Sequence, residues 1–173
     1  MGYDVRAARL ADADDLGRVH VRAWRAGYRD GLMPDDYLDG LSEQERASEW
    51  RVALANPPRH RGARLVAESE DGAVVAFALV GPADGDLNAE VGELYAINVD
   101  PAHWGSGVGS ELLVAATRQL ETAGFGSAIL WVHPDNRRAR DFYEARGWSA
   151  DGVERTQEVM GVVVPEVRYS ISF

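Results

Sequence analysis

The stretch from Val99 to Leu113, VDPAHWGSGVGSELL, decides the fold. A strand running out at Val99 is followed by a turn with glycine at alternate positions, Gly105, Gly107 and Gly109, and then by a helix. Without Cβ atoms the backbone can turn sharply there and aim successive N–H groups at one point. Val108, Leu112, Ala116 and Leu120 recur every four residues with Leu113 beside them, and Gly124 supplies a stop. An anion at the first turn would meet unpaired N–H donors and the positive end of the helix dipole. The pattern predicts a phosphate cradle.

Two familiar glycine loops do not fit it. A Walker A loop needs a lysine beside its last glycine, whereas all 18 basic residues here are arginine. A dinucleotide fingerprint needs a third glycine where Ser110 stands and an acidic residue about twenty positions on; Glu121 is too near, and no parallel βαβ series surrounds the loop.

The remaining chain reads as one domain, 1–173, of globular composition. Val5–Leu10 is a strand, and Asp12 caps a helix carrying Leu16, Val19, Ala23 and Tyr28 on one side. GLMPDDYLDGL is turn-rich, and Ser42 with Glu45 forms a capping box for a second helix to about Leu54. Ala63–Ser69, Ala73–Val80 and Val91–Val99 are successive antiparallel strands. Beyond the cradle helix come a strand at Ser127–Val132, a helix from the Asn136 cap to Arg146, and strands at Trp148–Arg155 and Val167–Phe173. The order is β-α-α-β-β-β-α-β-α-β-β, a mixed α/β domain.

Composition narrows the chemistry. With no cysteine there is no disulfide, thiolate metal site or acyl-cysteine intermediate. The net charge of −10 argues against nucleic-acid and anionic-membrane partners. The longest apolar run, Ala73–Val80, is too short to span a bilayer, and no signal-peptide layout opens the chain, so the expected location is cytoplasmic. His20, His60, His103 and His133 lack ligand spacing, so no metal is expected.

Trp104-Gly105-Ser106-Gly107-Val108-Gly109 resembles the acyl-CoA signature [Gln/Arg]-x-x-Gly-x-[Gly/Ala] of the GCN5-related N-acetyltransferases, departing from it at Trp104. HPDNRRARDFYEARGW, residues 133–148, is similar to that family's later motif through Asn136, Ala139, Phe142, Tyr143, Gly147 and Trp148. The element order also matches, so the resemblance covers essentially the whole chain. It implies that strands four and five splay at a bulge with acetyl-CoA lying in the splay. It implies further that amides of residues 104–110, Ser110 included, hold the diphosphate and that Asn136 bonds the pantetheine or phosphate region. Finally, a backbone N–H near Ile97 would meet the acetyl oxygen, and Val99 would pair the pantetheine amides.

Candidate catalytic groups follow. A phenol of pKa ~10 stays protonated at neutral pH and can protonate a departing thiolate whose conjugate acid has pKa ~8.5, a role the resemblance gives to Tyr143. The attacking amine must lose a proton, and Glu93 is the first candidate base, Glu90 the second. Alternation places Glu93, Tyr95, Ile97 and Val99 on one face unless a bulge resets the parity. Among Arg137, Arg138 and Arg140, Arg140 is the leading candidate for a coenzyme phosphate. Trp24, Tyr28 and Trp131 are candidates for an acceptor pocket. The expected activity is transfer of acetyl from acetyl-CoA directly to a small-molecule or peptide amine in a ternary complex. The rival from another class is a non-catalytic acyl-CoA sensor or interaction module. The closing strand VRYSISF offers an edge at which a homodimer could pair.

Overall fold

The computed structural model describes residues 2–85, 87–159 and 161–173. In chain order the elements are β1 (Tyr3–Ala7), α1 (Ala13–Gly27), α2 (Asp35–Asp39), α3 (Glu43–Leu54), β2 (Ala63–Ser69), β3 (Val74–Pro82) and β4 (Val91–Val99). Then follow α4 (Val108–Thr122), β5 (Ser127–Val132), α5 (Arg137–Glu144), β6 (Ser149–Val159) and β7 (Val162–Ser172). The strands form one sheet in the order β1-β2-β3-β4-β5-β7-β6, antiparallel throughout except at β4–β5.

Helices cover both faces. The apolar stripe of α4, with Phe142 and Tyr143 of α5, packs on Ala76, Ala78, Val80, Leu94, Ala128 and Leu130. On the opposite face, Leu16 and Val19 of α1 and Trp50 of α3 pack on Val66, Val74 and Phe77. The α1–α3 crossing brings backbone against backbone: a Cβ on Gly17 would lie 2.6 Å from both Ala47 N and Glu43 O. The Ser42 hydroxyl accepts from Glu45 N–H, as the capping box predicts. Among the described residues no helix is long and apolar enough to cross a membrane.

Several expectations are corrected. The first strand is Tyr3–Ala7, and Leu10–Asp12 is a 3-10 turn in which Asp12 takes ion pairs from Arg6 instead of capping α1 with its side chain. The turn-rich GLMPDDYLDGL contains α2, anchored by the fully buried Leu38. The last two strands run longer than read, because almost every residue of β6 is exposed and no apolar alternation marks it. VRYSISF is not an edge either: β7 lies between β5 and β6, and the sheet's edges are β1 and β6.

Candidate active site

The site begins where the sheet parts. β4 pairs with β3 as far as Val99, but with β5 over only three rungs, Val91–Ser127, Gly92–Ala128 and Glu93–Ile129. Leu79 faces Ala96 while Val80 faces Leu94, so Tyr95 is an extra residue, and such a bulge bends and twists its strand. Asp100 N–H donates to Val75 O at 2.8 Å, which by alternation turns the N–H and C=O groups of Ile97 and Val99 into the gap beside β5.

The bulge also decides the parity. Leu94, Ile97 and Val99 pack on the α4 side and Ala96 on the α1 side. Glu93, adjacent to Leu94, therefore points to the face opposite Ile97 and Val99, contrary to simple alternation.

The glycine loop joins the C-terminal end of β4 to α4. Gly105 and Gly107 hold φ values of +77° and +94°, and a Cβ on either would meet nothing within 4 Å. The amides of Gly105, Gly107 and Gly109 donate to no protein acceptor among the described residues. Three such donors at a helix N-terminus, with open space beside Gly105 and Gly107, fit a diphosphate. Buried Asp100 fixes the loop from behind, accepting from Ala102 N–H at 3.0 Å and pairing with Arg22 of α1 at 3.0 Å. Ser106 Oγ donates to His103 O at 2.7 Å, and Ser110 Oγ accepts from Arg146. Trp104 has a job of its own: its Nε1 donates to Val99 O at 2.9 Å, and the Arg138 guanidinium lies 3.2 Å above its ring.

α5 closes the same end. Asn136 caps it, its Oδ1 accepting from Ala139 N–H at 3.2 Å, and its side-chain N–H donors have no acceptor among the described residues. Arg140 is partly engaged inside the protein, its Nε donating to Tyr169 Oη at 2.9 Å and its Nη1 to Pro134 O at 2.7 Å. Tyr143 is buried against Phe142, Trp148 and Tyr169. Burial, with Tyr28 nearby, holds its phenol well above the ordinary range, and no hydrogen bond contributes.

Across the gap, Glu93 is 6 % exposed and accepts from Asp84 N–H at 3.1 Å. Burial raises its carboxyl above the usual range, Asp84 and Glu166 add to the rise, and the Asp84 N–H and Arg155 oppose it. Glu90 is exposed and lies ahead of β4, at the end where β4 and β5 are still paired. Trp24 stacks on Tyr28 at 4.8 Å, and the Tyr28 phenol is raised by burial and then by Glu166. Glu166 accepts from Arg155 Nε at 2.6 Å, and that guanidinium lies 3.9 Å over Trp131. The three aromatic candidates thus connect through Glu166 and Arg155. Sequence reading missed both, since only the β6–β7 register brings them together. Beside them, Gly31, Leu32, Met33, Pro34, His133 and Val163 line an open depression of about 440 Å³. Among the described residues no cluster of His, Asp and Glu could hold a metal ion.

The comparisons agree with this geometry. The family model described as "Acetyltransferase (GNAT) family" matches residues 22–148. The chain is 35 % identical over 164 residues to the uncharacterised N-acetyltransferase YuaI of Bacillus subtilis (strain 168), spanning 94 % of this chain and 89 % of that one. It is 31 % identical over 157 residues to the mycothiol acetyltransferase of Nocardioides sp. (strain ATCC BAA-499 / JS614), covering 86 % of this chain and half of that protein. In fold it resembles the PaiA N-acetyltransferase of Thermoplasma acidophilum, solved in complex with coenzyme A, with a TM-score of 0.76, 18 % identity and full coverage of both chains. Free glycine amides at a helix start, a parted pair of central strands and a family match across most of the chain converge: this protein belongs to the GNAT family of acetyltransferases.

Proposed function

We propose that residues 1–173 act as one domain that transfers acetyl from acetyl-CoA directly to the primary amine of a small molecule or peptide in a ternary complex. The observation that carries this reading is the gap between β4 and β5. Free glycine amides stand at one end of it and two buried groups of shifted acidity, Tyr143 and Glu93, beside it.

Acetyl-CoA supplies the thioester carbonyl that the amine attacks. The amides of Gly105, Gly107 and Gly109 hold its diphosphate, and the Asn136 side-chain N–H donors and the Val99 N–H orient the pantetheine arm. Glu93, directly or through one water, takes a proton from the acceptor ammonium and leaves a neutral amine. Its raised pKa brings it closer to the neutral range where a base works best. The Ile97 N–H donates to the oxygen that gains charge as the C–N bond forms. Tyr143 then gives its proton to sulfur as the C–S bond breaks, so the thiol and the amide leave and the proton from the amine replaces the one Tyr143 gave. Trp24, Tyr28 and Trp131, with Glu166, wall the acceptor side.

Thermal unfolding with acetyl-CoA, CoA, NAD and ATP in parallel tests the coenzyme assignment. At a hundred times Kd a native-state ligand adds about 2.7 kcal/mol, or roughly 5–11 °C for a chain of this size. Stabilisation by acetyl-CoA and CoA alone is expected, followed by thiol release in a screen of amines. No shift with any of the four overturns the reading. Stabilisation without turnover of any amine favours a sensor.

A further inference from the structure

Four arginines lie on or just after α5, at positions 137, 138, 140 and 146, and they are not equivalent. Arg140 is occupied by Tyr169 Oη and Pro134 O, and Arg146 by Ser110 Oγ and Phe142 O. Arg137 and Arg138 are both exposed, and the Arg137 side chain makes no hydrogen bond or ion pair among the described residues. Arg138 makes no hydrogen bond or ion pair among the described residues, and desolvation alone perturbs it. What sets it apart is the face of Trp104 beneath it.

The placement has a cause. Arg138, Phe142 and Arg146 recur every four residues along one side of α5, and that side lies over the glycine loop. Phe142 stands 3.5 Å from where a Gly109 Cβ would be, Arg146 reaches Ser110, and Arg138 covers Trp104. The Trp104 ring is tethered, because its Nε1 donates to Val99 O. A guanidinium stacked by its face on indole keeps its N–H donors at the rim, where they can make paired bonds to a phosphoryl group. A cation in the first turn of a helix is also locally unfavourable, so the position carries a cost that a bound anion would offset.

We infer that Arg138, held flat on Trp104, is a diphosphate ligand of the coenzyme and supplies in trans the side-chain donor that Trp104 lacks. The inference rests on the coenzyme reading above and deepens it.

Calorimetric titration of the full chain with CoA, dephospho-CoA and S-acetylpantetheine separates the two. Arg138→Ala is expected to weaken CoA about tenfold to a hundredfold, the range for a charge-assisted bond. Dephospho-CoA, which keeps the diphosphate, should lose the same factor. S-acetylpantetheine, which lacks it, should be unchanged. Arg138→Lys keeps the charge without the planar stack and should recover only part of the loss. Trp104→Leu should weaken CoA through loss of the platform. The ligand-free Arg138→Ala protein should melt no lower than wild type, which separates lost binding from lost folding. Unchanged CoA affinity in Arg138→Ala overturns the inference, and so does a loss that vanishes with dephospho-CoA, which would move the contact to the 3′-phosphate. If wild type binds no CoA, the coenzyme reading itself has failed.

Discussion

Tyr143→Phe removes one oxygen from a buried site and leaves the ring contacts to Phe142, Trp148 and Tyr169 intact. The hydroxyl has no hydrogen bond among the described residues, so its removal leaves no partner there stranded, and the thermal midpoint is expected to hold or rise slightly. Catalysis should respond differently. A positioned general acid contributes about 10²–10⁴-fold, so kcat should fall by that factor, equivalent to about 3–5 kcal/mol in the barrier. The KM for acetyl-CoA should stay near the wild-type value if the hydroxyl acts mainly in the transition state. Burial, with the neighbouring Tyr28, pushes the phenol upward, so the donor stays protonated and Tyr143 should cause no alkaline fall in kcat below about pH 10. Initial rates of thiol release at saturating acetyl-CoA and acceptor provide the assay. A folded variant that loses less than about tenfold would refute the acid role and leave Tyr143 as a packing residue.

Glu93→Gln should lower kcat/KM by about 10²–10³-fold and remove its acid limb, which in wild type lies above the ordinary carboxylate range because burial raises the group; a surviving limb refutes this. Because the folded protein holds the Glu93 proton more tightly than the unfolded chain, wild type loses stability as pH rises through that window. Glu93→Gln should therefore be the more stable protein at neutral pH, with the gap closing in acid, as pH-dependent denaturant melts can show. His20, packed between Trp24 and Phe77 with a buried Nδ1 that has no partner, is lowered from 6.5 to about 4 by burial and by Arg46. The unfolded chain takes up this proton first as pH falls, so about 3 kcal/mol of stability should be lost between pH 6.5 and 4, and His20→Leu should flatten that slope. Gly17→Ala forces a methyl onto the α3 backbone and should cost about 1–3 kcal/mol or more, read as a lower midpoint in calorimetry.

What could be read from the chain alone follows the range of the interactions involved. The glycine loop, the Asn136 cap and the bounds of Ala63–Ser69, Val91–Val99 and Ser127–Val132 rest on local spacing, and each stands where it was expected. The resemblance implied a bulge, but its place at Tyr95 was not legible in the residues. It comes from the register between β3 and β4, and it alone sends Glu93 to the face opposite Ile97. Arg140 was preferred over Arg138 because nothing nearby in sequence announces that Tyr169, on a later strand, accepts from its Nε. Trp104 read as a bare departure from a motif because Arg138, which lies over its ring, is more than thirty positions away on α5. β6 was cut short because an exposed edge strand is held by its ladder to β7 and has no buried face to betray it.

The three-rung contact between β4 and β5 has a consequence for folding. β2, β3 and β4 follow one another along the chain and pair as neighbours, as do β6 and β7, so each arm of the sheet can form early from near-local contacts. The parallel seam between the arms needs the whole α4 crossover first, and it offers few bonds in return. It should therefore be among the first places to open in the native state, and amides 91–93 and 127–129 should exchange with solvent faster than those of β3. In the proposed binding mode, a coenzyme touching Val99 and the loop on one arm and Asn136, Arg138 and Tyr143 beyond the other would work as a staple across that seam. Binding should slow exchange there more than anywhere else in the sheet.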